Sequence, residues 1–155
     1  METSWRFSVD NRMPPSQNDF PALALLEFES IAAGYLAADA MAKRAPVARI
    51  VAGTVQPGRL LVLLSGGVAE VEEAAEAGRA VAAGSLLDEV LLTAVHPGVI
   101  AAMLGKRQPI ADGLGIVECR SAASAIHAAD AGLKGANVAV VELRLSDGLA
   151  GKGIC

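Results

Sequence analysis

The sequence predicts an α+β fold in which one ferredoxin-like β-α-β-β-α-β domain occurs twice, with the second copy incomplete. Residues 26–47 recur at residues 117–138 with a fixed offset of 91, and ten of the twenty-two aligned positions are identical. Solenoid repeats have periods of about 20–50 residues, whereas a period this long is that of a small domain. The first copy ends near Leu104, so the same offset carries the end of a complete second copy well past Cys155.

The first copy, residues 22–105, opens with a strand, a helix and a second strand. Residues 23–28 form a short apolar run that ends in acid, which predicts a strand. Ser30 is a favourable N-cap, and Pro46 marks the end of the helix that follows it. Residues 47–55 are apolar and β-branched, which predicts the second strand. Between the cap and the proline, apolar residues recur at helical spacing, namely Ile31, Leu36, Ala40 and Met41.

The rest of the first copy supplies two more strands and two helices. Gln56-Pro57-Gly58 predicts a turn, and the Gly66-Gly67 pair ends the strand after it. Helical periodicity follows this pair, and Pro97-Gly98 precedes a last short helix. The predicted strands cover residues 60–64 and 86–95, and the predicted helices cover 68–83 and 99–104.

The second copy, residues 114–155, repeats this order as far as it extends. A strand at 114–119, a helix at 121–134 and a strand at 138–145 are followed by a turn at Ser146-Asp147-Gly148. A third strand is expected to begin at Leu149. Residues 106–113 form a polar linker, and residues 1–21 are expected to be a flexible polar arm.

Composition excludes several classes of function. The net charge is −4 and no Lys/Arg cluster occurs, so a nucleic-acid partner is not expected. The longest apolar run, residues 60–64, is far shorter than the ~18 residues of a membrane-spanning helix. A mean hydropathy of +0.44 suggests apolar surface buried between subunits. Two cysteines, Cys119 and Cys155, are consistent with a reducing cytosol.

A search for catalytic chemistry finds little. His96 and His127 occupy different positions of the repeat, and neither has a cysteine or carboxylate at a metal-ligand spacing. Cys119 lies in a predicted strand, where a buried inert thiol is favoured over a nucleophile. No glycine-rich phosphate loop is present. The sequence therefore predicts no catalytic residue, no metal and no cofactor.

Several polar residues are duplicated by the repeat. Tandem copies keep the same residue at paired positions when both copies meet equivalent neighbours, which is the expectation for a pseudo-symmetric ring. The duplicated pairs are Glu27/Glu118, Ser30/Ser121, Asp39/Asp130 and Lys43/Lys134, together with the two predicted turns.

The duplicated helix carries a recognisable motif. Residues 37–47 read AADAMAKRAPV, residues 128–138 read AADAGLKGANV, and residues 66–78 read GGVAEVEEAAEAG. These stretches resemble the bacterial microcompartment shell family. Two copies in one chain resemble its tandem-domain subclass, in which three chains form a pseudo-hexameric tile around a central pore. Two departures are His96, where the family carries an arginine, and Gly67, where it carries an acid.

This resemblance implies a structural shell protein of the bacterial cytoplasm that forms a homotrimer, assembles with other shell proteins and passes small metabolites. It implies tile-edge positions at Lys43, Lys134 and His96. The alternative interpretations are a ferredoxin-like sensing domain that binds a small molecule at a subunit interface and, less favoured, a ferredoxin-like enzyme. The implied pore-lining residues are Gln56, Pro57, Gly58, Ser146, Asp147 and Gly148.

Overall fold

A computed structural model describes residues 21–110, 113–146 and 148–155. The predicted β-α-β-β-α-β order with a short last helix is confirmed, and a β-α-β-β unit follows it. The first unit comprises β1 (Ala22–Phe28), α1 (Ile31–Arg44), β2 (Arg49–Val55), β3 (Arg59–Gly66), α2 (Val68–Ala82), a 3-10 turn (Ala83–Ser85), β4 (Leu86–Leu92) and α3 (Pro97–Met103). The second unit comprises β5 (Glu118–Cys119), α4 (Ala122–Gly135), β6 (Arg144–Leu145) and β7 (Gly153–Ile154).

Side-chain caps fix where three of the helices begin. The hydroxyl of Ser30 accepts from the backbone N–H of Ala33 at 3.3 Å, and that of Ser121 accepts from Ser124 at 3.0 Å. These caps satisfy backbone donors that the first helical turn leaves free. His96 does the same for α3, because its Nδ1 accepts from the N–H of Gly98 at 3.1 Å.

The first sheet is antiparallel with the strand order β2-β3-β1-β4. Helices α1 and α2 cover one face of this sheet, which we call the inner face. The inner core consists of Ala22, Ala24, Leu26, Phe28, Ala37, Met41, Ala45, Leu60, Val62, Leu64, Val71, Ala74, Ala75 and Ala82.

The opposite, outer face of the first sheet is covered by the second unit. Helix α4 packs on β4, β1 and α3. Strands β1 and β3 are thus buried on both faces, which explains why they read as continuous apolar runs rather than alternating ones. The outer core includes Leu23, Leu25, Leu61, Leu63, Val90 and Leu92 of the sheet, Val99 and Ile100 of α3, and Ala122, Ala123, Ala125, Ile126 and Ala129 of α4.

The second sheet has the order β5-β7-β6, which repeats β1-β3-β2. Its strands are shorter than predicted, and the third begins at Gly153, not at Leu149. The reason is backbone conformation: Ser146, Gly148, Ala150 and Gly151 all have positive φ, which extended strands do not adopt. The turn is therefore closed by the bond from Ser146 N–H to the Lys152 carbonyl at 3.0 Å.

Some predictions concern segments that the structure describes partly or not at all. The predicted arm lies outside the described residues except for Pro21, and two residues of the predicted linker are likewise outside them. Among the described residues, no helix combines the length and apolar character needed to cross a bilayer.

Candidate functional site

The junction between the two units is built around Glu27. Its side chain is fully buried beneath α4, and its Oε1 lies 2.6 Å from Nη1 of Arg59. Its Oε2 accepts from the backbone N–H of Ala122, the first residue of α4, at 3.1 Å. Burial raises the pKa of Glu27, while these two hydrogen bonds act to lower it. The carboxylate therefore joins the first sheet to the positive end of the second unit's helix.

The second unit repeats this acid–base pair in an exposed form. Oε1 of Glu118 lies 2.6 Å from Nζ of Lys152, and both side chains are more than half exposed. Strand register shows the equivalence, because Phe28 pairs with Leu60 next to Arg59, and Cys119 pairs with Gly153 next to Lys152. The second turn contains two extra residues, so Lys152 is not 91 positions after Arg59. The comparison at a fixed offset therefore did not pair these two basic residues.

A second carboxylate at the junction holds the start of α4. Asp88, in β4, accepts hydrogen bonds from the hydroxyls of Ser121 and Ser124, the latter at 2.7 Å. Burial acts to raise the pKa of Asp88, but the hydrogen bonds from Ser121, Ser124 and the N–H of Glu89 outweigh it, so its pKa lies below the ordinary value. Asp88 has no copy in the repeat within this chain, so the sequence offered no signal for it.

The predicted edge residues lie in unequal environments. Lys43 is exposed and pairs with Asp39 at 2.6 Å. Its counterpart Lys134 forms an ion pair with Asp130 and also donates to the carbonyl of Ala94 at 2.6 Å. Asp130 in turn accepts from the backbone N–H of His96 at 2.8 Å. The structure thus places Lys134 and His96 together at the junction between the units, whereas Lys43 lies in the last turn of α1. A tile-edge role for all three residues stays a prediction.

The two predicted pore turns approach each other. Gln56, Pro57 and Gly58 are exposed, and Nη1 of Arg59, directly after them, donates to the carbonyl of Gly151 at 3.4 Å. Gly151 belongs to the turn between β6 and β7. Arg59 therefore links the turn of one unit to the turn of the other.

Register places the second turn later in the chain than the sequence suggested. Ser146 is buried and occupies the position of Val55, while Gly148 is exposed. Asp147 lies outside the described residues. A pore-lining role for these residues stays a prediction.

The two cysteines of the second unit are partly buried, and among the described residues no three His, Cys, Asp or Glu side chains are grouped so that they could hold a metal ion. Burial raises the pKa of Cys119 and of Cys155, and the nearby Cys119 raises that of Cys155 further. Both thiols are therefore protonated at neutral pH, the unreactive form.

Comparison with known proteins decides the family. Residues 22–97 and 113–154 match the family model described as the BMC domain. The chain belongs to the BMC domain family of bacterial microcompartment shell proteins. It is 39% identical to the bacterial microcompartment shell protein PduT of Citrobacter freundii over 136 residues, which cover 84% of this chain and 72% of that protein.

The three-dimensional comparison agrees with this assignment. The chain is similar to the crystal structure of a microcompartment protein from Desulfitobacterium hafniense DCB, with a TM-score of 0.71 and 41% identity. The similarity covers 86% of this chain and 74% of that one. The two units described above are therefore two BMC domains, the second represented by a shorter segment, as the repeat predicted.

Proposed function

We propose that three copies of this chain form a pseudo-hexameric ring of six BMC domains that serves as one tile of a microcompartment shell in the bacterial cytoplasm. The observation that supports it best is the junction inside the chain. The second BMC domain covers the outer face of the first through its first helix, and the same acid–base pair recurs, exposed, on the second domain. Repeating one such head-to-tail contact generates a ring when the rotation between neighbours closes, which this proposal requires of the six domains.

In this proposal the turns of all six domains surround a central pore. The link from Arg59 to Gly151 supports it, because it keeps the turns of neighbouring domains side by side. Small metabolites would pass between these turns, while Lys43, Lys134 and His96 would face other shell proteins. The role is structural, with no catalytic group and no cofactor.

Electron microscopy of the purified protein tests this function. We expect plates about 65–70 Å across, the size of six ~100-residue domains in a ring, and flat sheets of such plates. Lys43→Asp should leave single plates and abolish sheets, because a carboxylate replaces the exposed ammonium at the end of α1. Lys106→Asp makes the same charge change in the segment between the domains and should leave the sheets. Compact dimers without plates would favour the ligand-sensing alternative and contradict the proposal.

A further inference from the structure

The two cysteines of the chain lie next to each other in the second sheet, although they are far apart in sequence. Cys119 ends β5, and Cys155 directly follows β7. Cys119 pairs with Gly153, and Val117 and Cys155 exchange backbone hydrogen bonds of 2.8 and 3.1 Å. Side chains two residues apart on a strand point to the same face. The two thiols are therefore diagonal neighbours on one face of this strand pair.

That face lies beneath α4. Gly153 shares it with the two cysteines, and a Cβ added to Gly153 would collide with Cβ of Ala125 in the helix. Both cysteines are partly buried and pack against the core to which Ala125 belongs. The thiols thus sit between the strand pair and the first turns of α4, where water has restricted access.

The first domain shows that packing alone does not require cysteine at these positions. Strand register relates Cys119 to Phe28 and Cys155 to Val62. Phe28 and Val62 are fully buried apolar side chains of the inner core. The second domain replaces both members of this apolar pair, and it does so with every cysteine that the chain has.

The spacing of the pair is too wide for a disulfide bond. Diagonal neighbours on antiparallel strands have Cα atoms about 7–8 Å apart. A disulfide requires about 4.4–6.8 Å and an S–S bond of about 2 Å. The sulfurs are nevertheless within electrostatic range, because Cys119 adds to the effect of burial in raising the pKa of Cys155.

A metal ion between the sulfurs spans the wider gap. A thiolate–metal bond is about 2.3 Å for zinc, so an ion held by two thiolates separates the sulfurs by up to about 4.6 Å. Thiolates select soft ions such as Cu(I) and Zn(II). Structural zinc takes four protein ligands, and the described residues offer no group of three or more at this place. Cu(I) is satisfied by two thiolates in a linear arrangement.

We propose that Cys119 and Cys155 bind one Cu(I) ion as a pair of thiolates between β5 and β7. Both thiols release their protons to solvent on binding, so the complex of two thiolates and one Cu(I) carries one negative charge. The positive start of α4 offsets this charge, since a Cβ on Gly153 would also lie 2.6 Å from the Ser121 carbonyl oxygen and 3.3 Å from Cα of Ala122. The site involves a single domain and does not depend on the ring proposed above.

Competition for Cu(I) under reducing, oxygen-free conditions tests the site. The wild-type chain should take one Cu(I) from a chromophoric Cu(I) chelator, and X-ray absorption should show sulfur ligands only. Cys119→Ser and Cys155→Ser should each lower the affinity more than about a hundredfold, beyond the loss of an outer-shell partner. Because two protons leave, the affinity corrected for the chelator should rise about a hundredfold per pH unit below the pKa values of the thiols.

Val117→Ser is the matched control. Val117 lies opposite Cys155 on the same face and is 48% exposed, so this variant removes an apolar side chain from the site but no thiol. It should bind Cu(I) as the wild type does. Cu(I) should also raise the melting temperature of the wild type and of Val117→Ser but not of the two cysteine variants, which separates metal binding from a packing role of the thiols.

Four outcomes would overturn the inference. Retention of most of the affinity in either cysteine variant, or a tenfold rise per pH unit, would show that one thiol binds alone. One Cu(I) per two chains would place the ion between copies. Nitrogen or oxygen ligands in the absorption spectrum would show a different site. Oxidation of Cys119 and Cys155 to an intramolecular disulfide by a low-molecular-weight disulfide, seen by mass spectrometry, would show that the sulfurs lie closer than the bridging ion requires.

Discussion

Glu27 and Glu118 occupy the same place in the two BMC domains, yet only Glu27 is buried. The difference comes from what lies above each carboxylate: α4 starts on Glu27, and no described residue starts a helix on Glu118. A buried charge is tolerated only when it is paired and hydrogen-bonded, and Glu27 has both Arg59 and the N–H of Ala122. Comparing the two glutamates therefore measures how much the junction between the domains contributes to stability.

Removing each glutamate in turn should show this difference. Glu27→Ala leaves Arg59 and the start of α4 without their acceptor, so the free energy of unfolding should fall by about 3 kcal/mol or more. Glu118→Ala removes an exposed pair and should change it by less than about 1 kcal/mol. Urea denaturation at a concentration where the chain is monomeric measures both. Equal losses would contradict the assignment of Glu27 to the junction.

Asp88 makes the junction sensitive to acid. Its folded pKa is below the ordinary value, so the unfolded chain binds more protons in this range and stability falls as the pH decreases. At pH 6 the free energy of unfolding of the wild type should exceed that of Asp88→Asn by about 1 kcal/mol. This difference should shrink below about pH 4, the ordinary range for aspartate, and vanish as folded Asp88 becomes protonated.

Ser124→Ala is the comparison variant for Asp88, since it removes one of the two hydroxyl donors and should narrow the pH range over which stability is lost. Thermal unfolding followed by circular dichroism between pH 2.5 and 6 gives the measurement. If the wild type is more stable than Asp88→Asn by the same amount across this range, ionisation of Asp88 does not stabilise the start of α4.

At the level of elements, the first helix of each domain packs closely against the third strand of the same domain. A small residue in one of the two elements makes this possible, but the two domains place that residue in different elements. In the first domain the helix supplies Gly34 against Leu60, and in the second the strand supplies Gly153 against Ala125. One partner must lack a side chain because helix and strand lie too close for two. The sequence predicted the helices of both domains to within a few residues, since caps and periodicity mark them locally. It did not predict which of the two elements carries the small residue, because the distance between a helix and a strand depends on the side chains of both.

Gly34→Ala should therefore cost stability despite the better helix propensity of alanine. A methyl group there would lie 2.6 Å from Cδ2 and 2.9 Å from Cβ of Leu60. The better helix propensity of alanine contributes about 1 kcal/mol, but overpacking costs more, so we expect the free energy of unfolding to fall by a net amount of about 1–2 kcal/mol. Gly78→Ala should cost less, because only the flexible Met41 side chain stands in its way. In a Leu60→Ala background the cost of Gly34→Ala should fall; an unchanged cost, measured in urea, would contradict the contact.

For the whole molecule, the arrangement of the two domains was only partly readable from the sequence. The repeat established two domains, and the apolar run at residues 22–26 is consistent with a strand that is buried on both faces. Which element covers the outer face depends on contacts between residues about a hundred positions apart, such as Glu27 with Ala122. The two extra residues in the second turn also displaced Lys152 from the offset of 91 that relates the duplicated residues before that turn.

The pore proposed for the ring leads to a prediction about ion selectivity. In a trimer, three Asp147 carboxylates and three Gln56 amides would stand among the turns that Arg59 keeps together. A ring of carboxylates attracts cations and repels anions. The protein reconstituted in a planar bilayer should therefore pass cations more readily, Asp147→Asn should weaken this preference, and Asp147→Lys should reverse the sign of the reversal potential in a salt gradient. Because Arg59 is neutralised by buried Glu27 in every variant, the change of sign would come from residue 147 alone. An unchanged reversal potential in Asp147→Lys would remove this residue from the pore.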